Sequence, residues 1–156
     1  MADQKIDFVE HLKSIHEIFA EKVPFHRVLG LRIEPIKEEH ICIKIEMKEE
    51  LVGNYLQGIL HGGVISAVLD VAGGMTAWLG VLKKLQGHPL EEIVERFSKI
   101  GTIDLRIDYL RPGRGKYFLA TGSILRTGNK VAVTRMELHN DEELLVAVGT
   151  GTYMVG

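Results

Sequence analysis

Several features common in other classes of protein are scarce or missing in this sequence. One cysteine, Cys42, occurs among 156 residues, which excludes an internal disulfide framework and fits a reducing compartment. The net charge of −2 shows no excess of basic residues, so we expect no nucleic-acid partner. No cluster of histidine, cysteine and acidic residues has metal-ligand spacing, so we expect no metal. The first residues lack the basic and then apolar pattern of a secretory signal, so we predict a cytoplasmic protein.

The residues that are present describe an ordinary folded domain. Hydrophobic residues make up 46% of the chain and charged residues 26%, which is far from the composition of a disordered protein. No repeat, low-complexity tract or linker divides the sequence, so one domain is predicted over residues 1–156. Near the start, apolar residues recur at helical spacing and predict an amphipathic helix over about 5–22, which ends before Pro24.

Further along, the apolar period shortens to two, which is typical of half-buried strands. Ile41, Ile43 and Ile45, for example, alternate with polar or small residues. Six strands are predicted in this way, at residues 31–36, 41–47, 103–109, 117–125, 130–139 and 144–154. A polar break followed by a short amphipathic helix over about 89–98 is interpreted as an insertion. This order of elements predicts an α+β fold.

The most unusual stretch is residues 54–80, NYLQGILHGGVISAVLDVAGGMTAWLG, in which a long apolar run contains one acid, Asp70. Its length alone would suit a membrane span, but the acid and the glycines favour a buried core helix over about 62–82, so we expect no membrane partner. Small residues share one face of this helix with Asp70: Gly63, Ser66, Ala67, Gly73, Gly74 and Ala77. Such a face allows a ligand or a partner chain to come close. A plain helix–helix contact, with Asp70 bonded to a backbone group, is the alternative.

His61, Gly62 and Gly63 stand where this helix begins. Free N–H groups at a helix N-terminus stabilise developing negative charge, which suits the oxyanion of an acyl-transfer reaction. His61 could contact the substrate carbonyl, or it could have a structural or orienting role. Asp70 is nine residues from His61, about 13 Å along a helix, so the two ends cannot serve one small reacting group. Two antiparallel copies of the helix would bring them together, which predicts a homodimer with shared active sites.

Two runs carry a resemblance to a known family: HGGVISAVLDVAGG and GTIDLRIDYLRPG. With them, residues 24–154 resemble the PaaI-like branch of the hotdog-fold thioesterases, in the 4-hydroxybenzoyl-CoA thioesterase superfamily, and especially the small acyl-CoA thioesterases of the YigI type. The resemblance implies an antiparallel sheet of about six strands around one long helix. It also implies dimers with a continuous sheet, frequently paired into tetramers, and a fatty or aryl acyl-CoA substrate. No cofactor is implied, since coenzyme A is part of the substrate.

The same resemblance implies roles for individual residues. Asp70 matches the acid that acts as a nucleophile or as a general base on water, and Gly62 matches the residue whose N–H polarises the thioester carbonyl. Thr102 matches a hydroxyl that helps to place the attacking water. Many relatives have Asn or Gln where this chain has Tyr55, so Asn54 or Gln57 would have to supply that polar group. Basic residues near two turns are candidates for the coenzyme A phosphates, or are solvated charge: Arg111, Arg114, Arg126 and Lys130.

The resemblance therefore predicts an acyl-CoA thioesterase, in which Asp70 assists attack by water and Gly62 from the facing subunit stabilises the oxyanion. Two alternatives stay open. A hotdog protein could bind acyl-CoA without hydrolysing it, although a purely binding tunnel has no use for a buried acid. A hotdog hydratase or dehydratase would require a second histidine, and the sequence shows none that is suitably placed.

Overall fold

The computed structural model describes residues 21–34 and 40–156, so the helix predicted over 5–22 lies outside the described residues except for its last two. The first half of the described chain contains helix α1 (Pro24–Leu29), strands β1 (Arg32–Ile33) and β2 (Cys42–Glu46), a 3-10 turn (Glu49–Leu51), strands β3 (Val52–Asn54) and β4 (Ile59–Leu60), and helix α2 (Gly62–Lys84). Helix α3 (Leu90–Ser98) and strands β5 (Gly101–Tyr109), β6 (Tyr117–Thr127), β7 (Val131–Asn140) and β8 (Leu145–Met154) follow.

The six predicted strands form one antiparallel sheet in the order β1-β2-β6-β7-β8-β5. Their residue pattern explains the sheet, since alternate side chains of a strand point to opposite faces. Ile41, Ile43 and Ile45 are fully buried, whereas Cys42 and Lys44 between them are only half-buried. The prediction of an α+β hotdog fold, with about six strands around one long helix, is confirmed.

Helix α2 is the element that the sheet wraps. It is long and apolar enough to cross a membrane, but 67% of its most apolar window is buried inside the protein. Val68, Leu69, Ala72 and Met75 are completely buried and belong to a hydrophobic cluster shared with the sheet. Lys83 and Lys84 in its last turn complement the negative end of the helix dipole. Helix α2 is therefore the core helix of the fold.

Helix α1 and the hairpin of β3 and β4 were not predicted from the sequence. Pro24 was predicted to follow the end of a helix, and it also begins one, since it stands in the first turn of α1, where its fixed φ is compatible with a helix start. The hairpin of β3 and β4 has strands of only 3 and 2 residues, too short for an alternating pattern. This hairpin delivers the chain to the start of α2, where the His61 N–H donates to the Leu51 carbonyl over 2.8 Å.

Strand β5 lies at an edge of the sheet, next to β8. Within the described residues its outer side pairs with no strand. Ile103 and Tyr109 on this strand are 57% and 54% exposed. An edge of nine residues with exposed apolar side chains is suited to pairing with another strand.

Candidate active site

The N-terminus of α2 is capped by His61. Its Nδ1 accepts the Gly63 N–H over 2.8 Å, and its carbonyl accepts the N–H groups of Val64 and Ile65. A neutral imidazole that accepts at Nδ1 carries its proton on Nε2. Within the part of the chain that the structure describes, the Gly62 N–H is the amide of this first turn that has no hydrogen-bond partner. This geometry supports an orienting role for His61 and leaves the Gly62 amide available to an anion.

Asp70 lies two turns further along α2 and is half-buried. Its Oδ1 accepts two hydroxyl groups: Thr102 Oγ1 of β5 at 2.9 Å and the Tyr153 hydroxyl of β8 at 3.2 Å. Among residues 21–34 and 40–156, no group bonds to Oδ2. Thr102, which the resemblance matched to a hydroxyl that helps to place the attacking water in some relatives, is thus in direct contact with Asp70, because β5 and α2 bring the two side chains together.

Tyr153 is the residue of this site that sequence reasoning missed. It is 1% exposed, and its one hydroxyl proton is shared between Oδ1 and the backbone carbonyl of Asp70, whose oxygen lies 3.1 Å from the hydroxyl oxygen. Burial, and then the charge of Asp70, raise the pKa of the Tyr153 hydroxyl well above its usual range. One weak signal was present in the sequence, an aromatic residue in a strand otherwise rich in glycine and β-branched residues. The pairing with Asp70 could not be predicted, because 83 residues separate them.

The small-residue face of α2 proves to have two parts. Toward the N-terminus, Ser66 and Ala67 are half-buried, and the Ser66 hydroxyl donates to the Gly63 carbonyl over 3.0 Å. Toward the C-terminus, Gly73 is buried, and a Cβ atom there would lie 2.2 Å from the Tyr153 hydroxyl oxygen. The expectation that a ligand or a partner chain can come close along the whole of this face is therefore wrong at Gly73. Its space is filled by Tyr153.

The two predicted polar residues of the loop before His61 are engaged in local contacts. Asn54 Oδ1 accepts the Leu56 N–H over 3.2 Å, which shapes the turn between β3 and β4. Gln57 accepts two hydrogen bonds from the Arg114 guanidinium, at 2.9 Å through its carbonyl and at 3.1 Å through Oε1. Arg111 donates to the Leu145 carbonyl over 2.8 Å. Both arginines keep further N–H donors, so an additional anion contact is compatible with this geometry.

The four candidate phosphate-binding residues do not form one cluster. Arg114 lies near the N-terminus of α2, because the Gly113 carbonyl beside it accepts the Leu60 N–H. Arg126 and Lys130 flank the turn between β6 and β7, where Lys84 at the other end of α2 donates to the Thr127 carbonyl. Lys130 lines a cleft of about 350 Å³ beside α3 with Glu95 and Lys99. The 23 residues of α2 span about 35 Å, so one subunit presents two separate basic groups.

Gly62 and Asp70 are also apart within one subunit. Eight residues of helix separate them, which corresponds to about 12 Å. Within the described ranges, no group of three or more His, Cys, Asp or Glu side chains is placed to hold a metal ion. The chemistry available on one chain is therefore a carboxylate oriented by two hydroxyl groups and, separately, an unpaired helix amide. A base and an oxyanion donor are the two parts that acyl transfer requires.

Comparisons with known proteins agree with this fold and these groups. The sequence profile of the thioesterase superfamily matches residues 57–147. The medium/long-chain acyl-CoA thioesterase YigI of Escherichia coli K12 is 49% identical over 145 residues, which are 93% of this chain and 94% of that protein. A Shewanella oneidensis crystal structure related to the thioesterase superfamily has 51% identity and a TM-score of 0.92, covering 95% of this chain and 97% of that one. The E. coli PaaI protein shares the fold, with a TM-score of 0.73 at 19% identity over 95% and 94% of the two chains.

The fold and the site define a hotdog protein equipped for acyl transfer. The chain belongs to the thioesterase superfamily, as its resemblance predicted, and it is a thioester hydrolase. The family therefore decides against the two alternatives considered from the sequence, a non-catalytic binding protein and a hydratase.

Proposed function

We propose that this protein hydrolyses medium- and long-chain acyl-CoA to the free fatty acid and coenzyme A. The observation that carries the proposal is the carboxylate of Asp70, held at Oδ1 by Thr102 and Tyr153 while Oδ2 has no partner in the described residues. The substrate class follows from YigI, which is named for medium- and long-chain acyl-CoA and is 49% identical to this chain. Water and the thioester are the reactants, with no cofactor.

The proposed reaction uses Asp70 as a general base. Asp70 Oδ2 takes a proton from water while the water oxygen bonds to the thioester carbonyl carbon. Thr102 Oγ1, which gives its own proton to Oδ1, retains lone pairs that accept the second water proton. The carbonyl oxygen becomes an oxyanion and binds the Gly62 N–H. When the C–S bond breaks, the proton on Asp70 passes to the departing thiolate.

Each site is proposed to use two subunits. The 12 Å between Gly62 and Asp70 on one helix, estimated from helical rise, is too long for both to touch one carbonyl group. Antiparallel pairing of two α2 helices would place Asp70 of one subunit beside Gly62 of the other. The edge of β5 pairs with no strand in residues 21–34 and 40–156, which supports a dimer with a continuous sheet. Light scattering on the purified protein distinguishes a dimer from a pair of dimers and from a monomer, which would contradict the shared site.

The binding residues are proposed around this shared site. Arg111 and Arg114 lie at the end of α2 that carries Gly62, so they are the candidates for the coenzyme A phosphates on that subunit. Arg126 and Lys130 lie near the C-terminal end of α2, away from Gly62, so they would contact the nucleotide only if it extends to that end. We propose that the acyl chain lies along the side of α2 that carries Ala67, which is half-buried. A cytoplasmic location stays a prediction.

The deciding experiment is a thiol-release assay over saturated acyl-CoAs from acetyl to palmitoyl, with benzoyl-CoA and phenylacetyl-CoA included. We expect the highest kcat/KM for medium and long chains. Asp70→Asn should lower kcat by about 10²–10⁴-fold, the range for loss of a general base. Glu46→Gln is the matched control, because Glu46 pairs with Lys44 on β2, which three strands separate from β5 in the sheet.

Two outcomes would contradict this proposal. Asp70→Asn activity equal to that of the native protein would remove Asp70 from the chemistry, and hydrolysis confined to aryl thioesters would remove the substrate class. A single turnover in H₂¹⁸O separates the two roles of Asp70. Incorporation of ¹⁸O into the Asp70 side chain, detected by peptide mass spectrometry, would show that it acts as a nucleophile and not as a base.

A further inference from the structure

The hydroxyl of Tyr153 contacts Asp70 through the space left by the missing side chain of Gly73. Tyr153 is buried in β8, and its oxygen lies 3.2 Å from Asp70 Oδ1 and 3.1 Å from the Asp70 carbonyl oxygen. Any side chain at Gly73 would occupy the same space, since a Cβ atom would come within 2.2 Å of the hydroxyl oxygen. The ring is thus held by packing, and the position of its oxygen is fixed relative to α2.

Both hydroxyl donors bind the same oxygen of the carboxylate. Thr102 Oγ1, from the edge strand β5, lies 2.9 Å from Oδ1, so donors from two strands converge on this atom. Across the described residues, Oδ2 receives no hydrogen bond. A partial rotation of the carboxylate plane about the Cβ–Cγ bond would break both bonds, whereas a half-turn would only exchange two equivalent oxygens. The donors therefore fix the plane of the carboxylate and leave one of its oxygens without a donor among the described residues.

We propose that Tyr153 is a positioning residue, whose buried hydroxyl holds Oδ1 of Asp70 so that Oδ2 is the oxygen that accepts the proton from water. The inference rests on the proposed role of Asp70 as the base. Tyr153 does not touch the substrate. Its contribution is to keep the reactive oxygen within reach of the attacking water, since small displacements of a catalytic group lower the rate strongly. Burial and the charge of Asp70 raise the pKa of Tyr153, so its hydroxyl stays a donor at every working pH.

A double-mutant cycle tests this role. Tyr153→Phe should lower kcat about tenfold with little change in KM, the size expected for one hydrogen bond to a charged group. In the Asp70→Asn background, the same substitution should change the residual rate less than about twofold. Tyr117→Phe makes the same chemical change in β6, where the ring lies against Lys44, and should leave kcat unchanged.

The possible results separate this inference from the proposed function. An unchanged kcat for Tyr153→Phe, with Asp70→Asn inactive, overturns the positioning role alone. Equal losses in both backgrounds show that Tyr153 acts through packing, which also overturns it. Full activity of Asp70→Asn would instead overturn the proposed function. If Tyr153→Phe does not fold, Gly73→Ala displaces the Tyr153 hydroxyl and leaves Thr102 in place, and it should show the same coupling to Asp70; equal losses in both backgrounds would overturn the positioning role.

Discussion

The Gly62 amide can be removed with little disturbance to the rest of the protein. Gly62 is the first residue of α2, and the N-cap residue before it, His61, has φ −64° and ψ 135°. Proline is favoured at the first position of a helix, and this extended conformation is what a residue before proline requires. Gly62→Pro therefore deletes the N–H, and Gly62→Ala is the matched control that keeps it. A Cβ atom at this position meets its nearest neighbour, Tyr109 Cε1, at 3.4 Å, which is ordinary contact.

The expected effect is large for one variant and small for the other. Loss of one oxyanion donor costs about 10²–10³-fold in kcat, equivalent to about 2.7–4 kcal/mol. We therefore expect this fall for Gly62→Pro and a change below about threefold for Gly62→Ala. Both variants should unfold in urea within about 1 kcal/mol of the native protein, because neither loses a hydrogen bond of the described fold.

The assay is thiol release with a long-chain acyl-CoA, recording kcat and KM, with helix content measured by circular dichroism. Native kcat for Gly62→Pro would refute the assignment of the Gly62 N–H as the oxyanion donor. Equal losses for proline and alanine would mean that the added Cβ atom, and its contact with Tyr109, lowers the rate.

Three other expectations follow from the same contacts. Subunit exchange between Asp70→Asn and Gly62→Pro chains should restore about a quarter of native activity, because half of the dimers are mixed and one of their two sites is intact; no recovery would place both groups of a site on one chain. Gly73→Ala should destabilise the protein by about 1–3 kcal/mol in urea unfolding, since its Cβ atom would overlap Tyr153. Gly74→Ala should be neutral or stabilising, because its Cβ atom would meet its nearest neighbour at 3.5 Å. Equal stabilities of the Gly73→Ala and Gly74→Ala variants would contradict the close contact between Gly73 and Tyr153. The raised pKa of Tyr153 means that the folded state keeps a phenol proton that the unfolded chain releases near pH 10, so stability is full below about pH 10 and falls above it. Urea midpoints measured from pH 9 to 11 should fall less for Tyr153→Phe than for the native protein, and parallel curves would contradict this linkage.

Local patterns were sufficient for most of the fold. Ile41, Ile43 and Ile45 alternate because one face of β2 is buried, and that alternation is visible in any sequence. The central helix was visible as a long apolar run, and its predicted end at residue 82 is two residues short of Lys84. The β3–β4 hairpin was missed because its strands are too short to show a period. Helix α1 was missed because proline begins as well as ends helices.

The sequence by itself determined that a carboxylate stands in an apolar helix and that a glycine amide stands at the start of that helix. Both statements depend on neighbours within a few residues, and local spacing fixes these. Only the tertiary structure decided that Tyr153 and Thr102 converge on Asp70 Oδ1, and that the space at Gly73 belongs to Tyr153. It also separated Arg114 from Lys130, which lie near opposite ends of α2. These contacts join residues far apart in the chain, and they are fixed by the register of β5 and β8 against α2, which no local pattern contains.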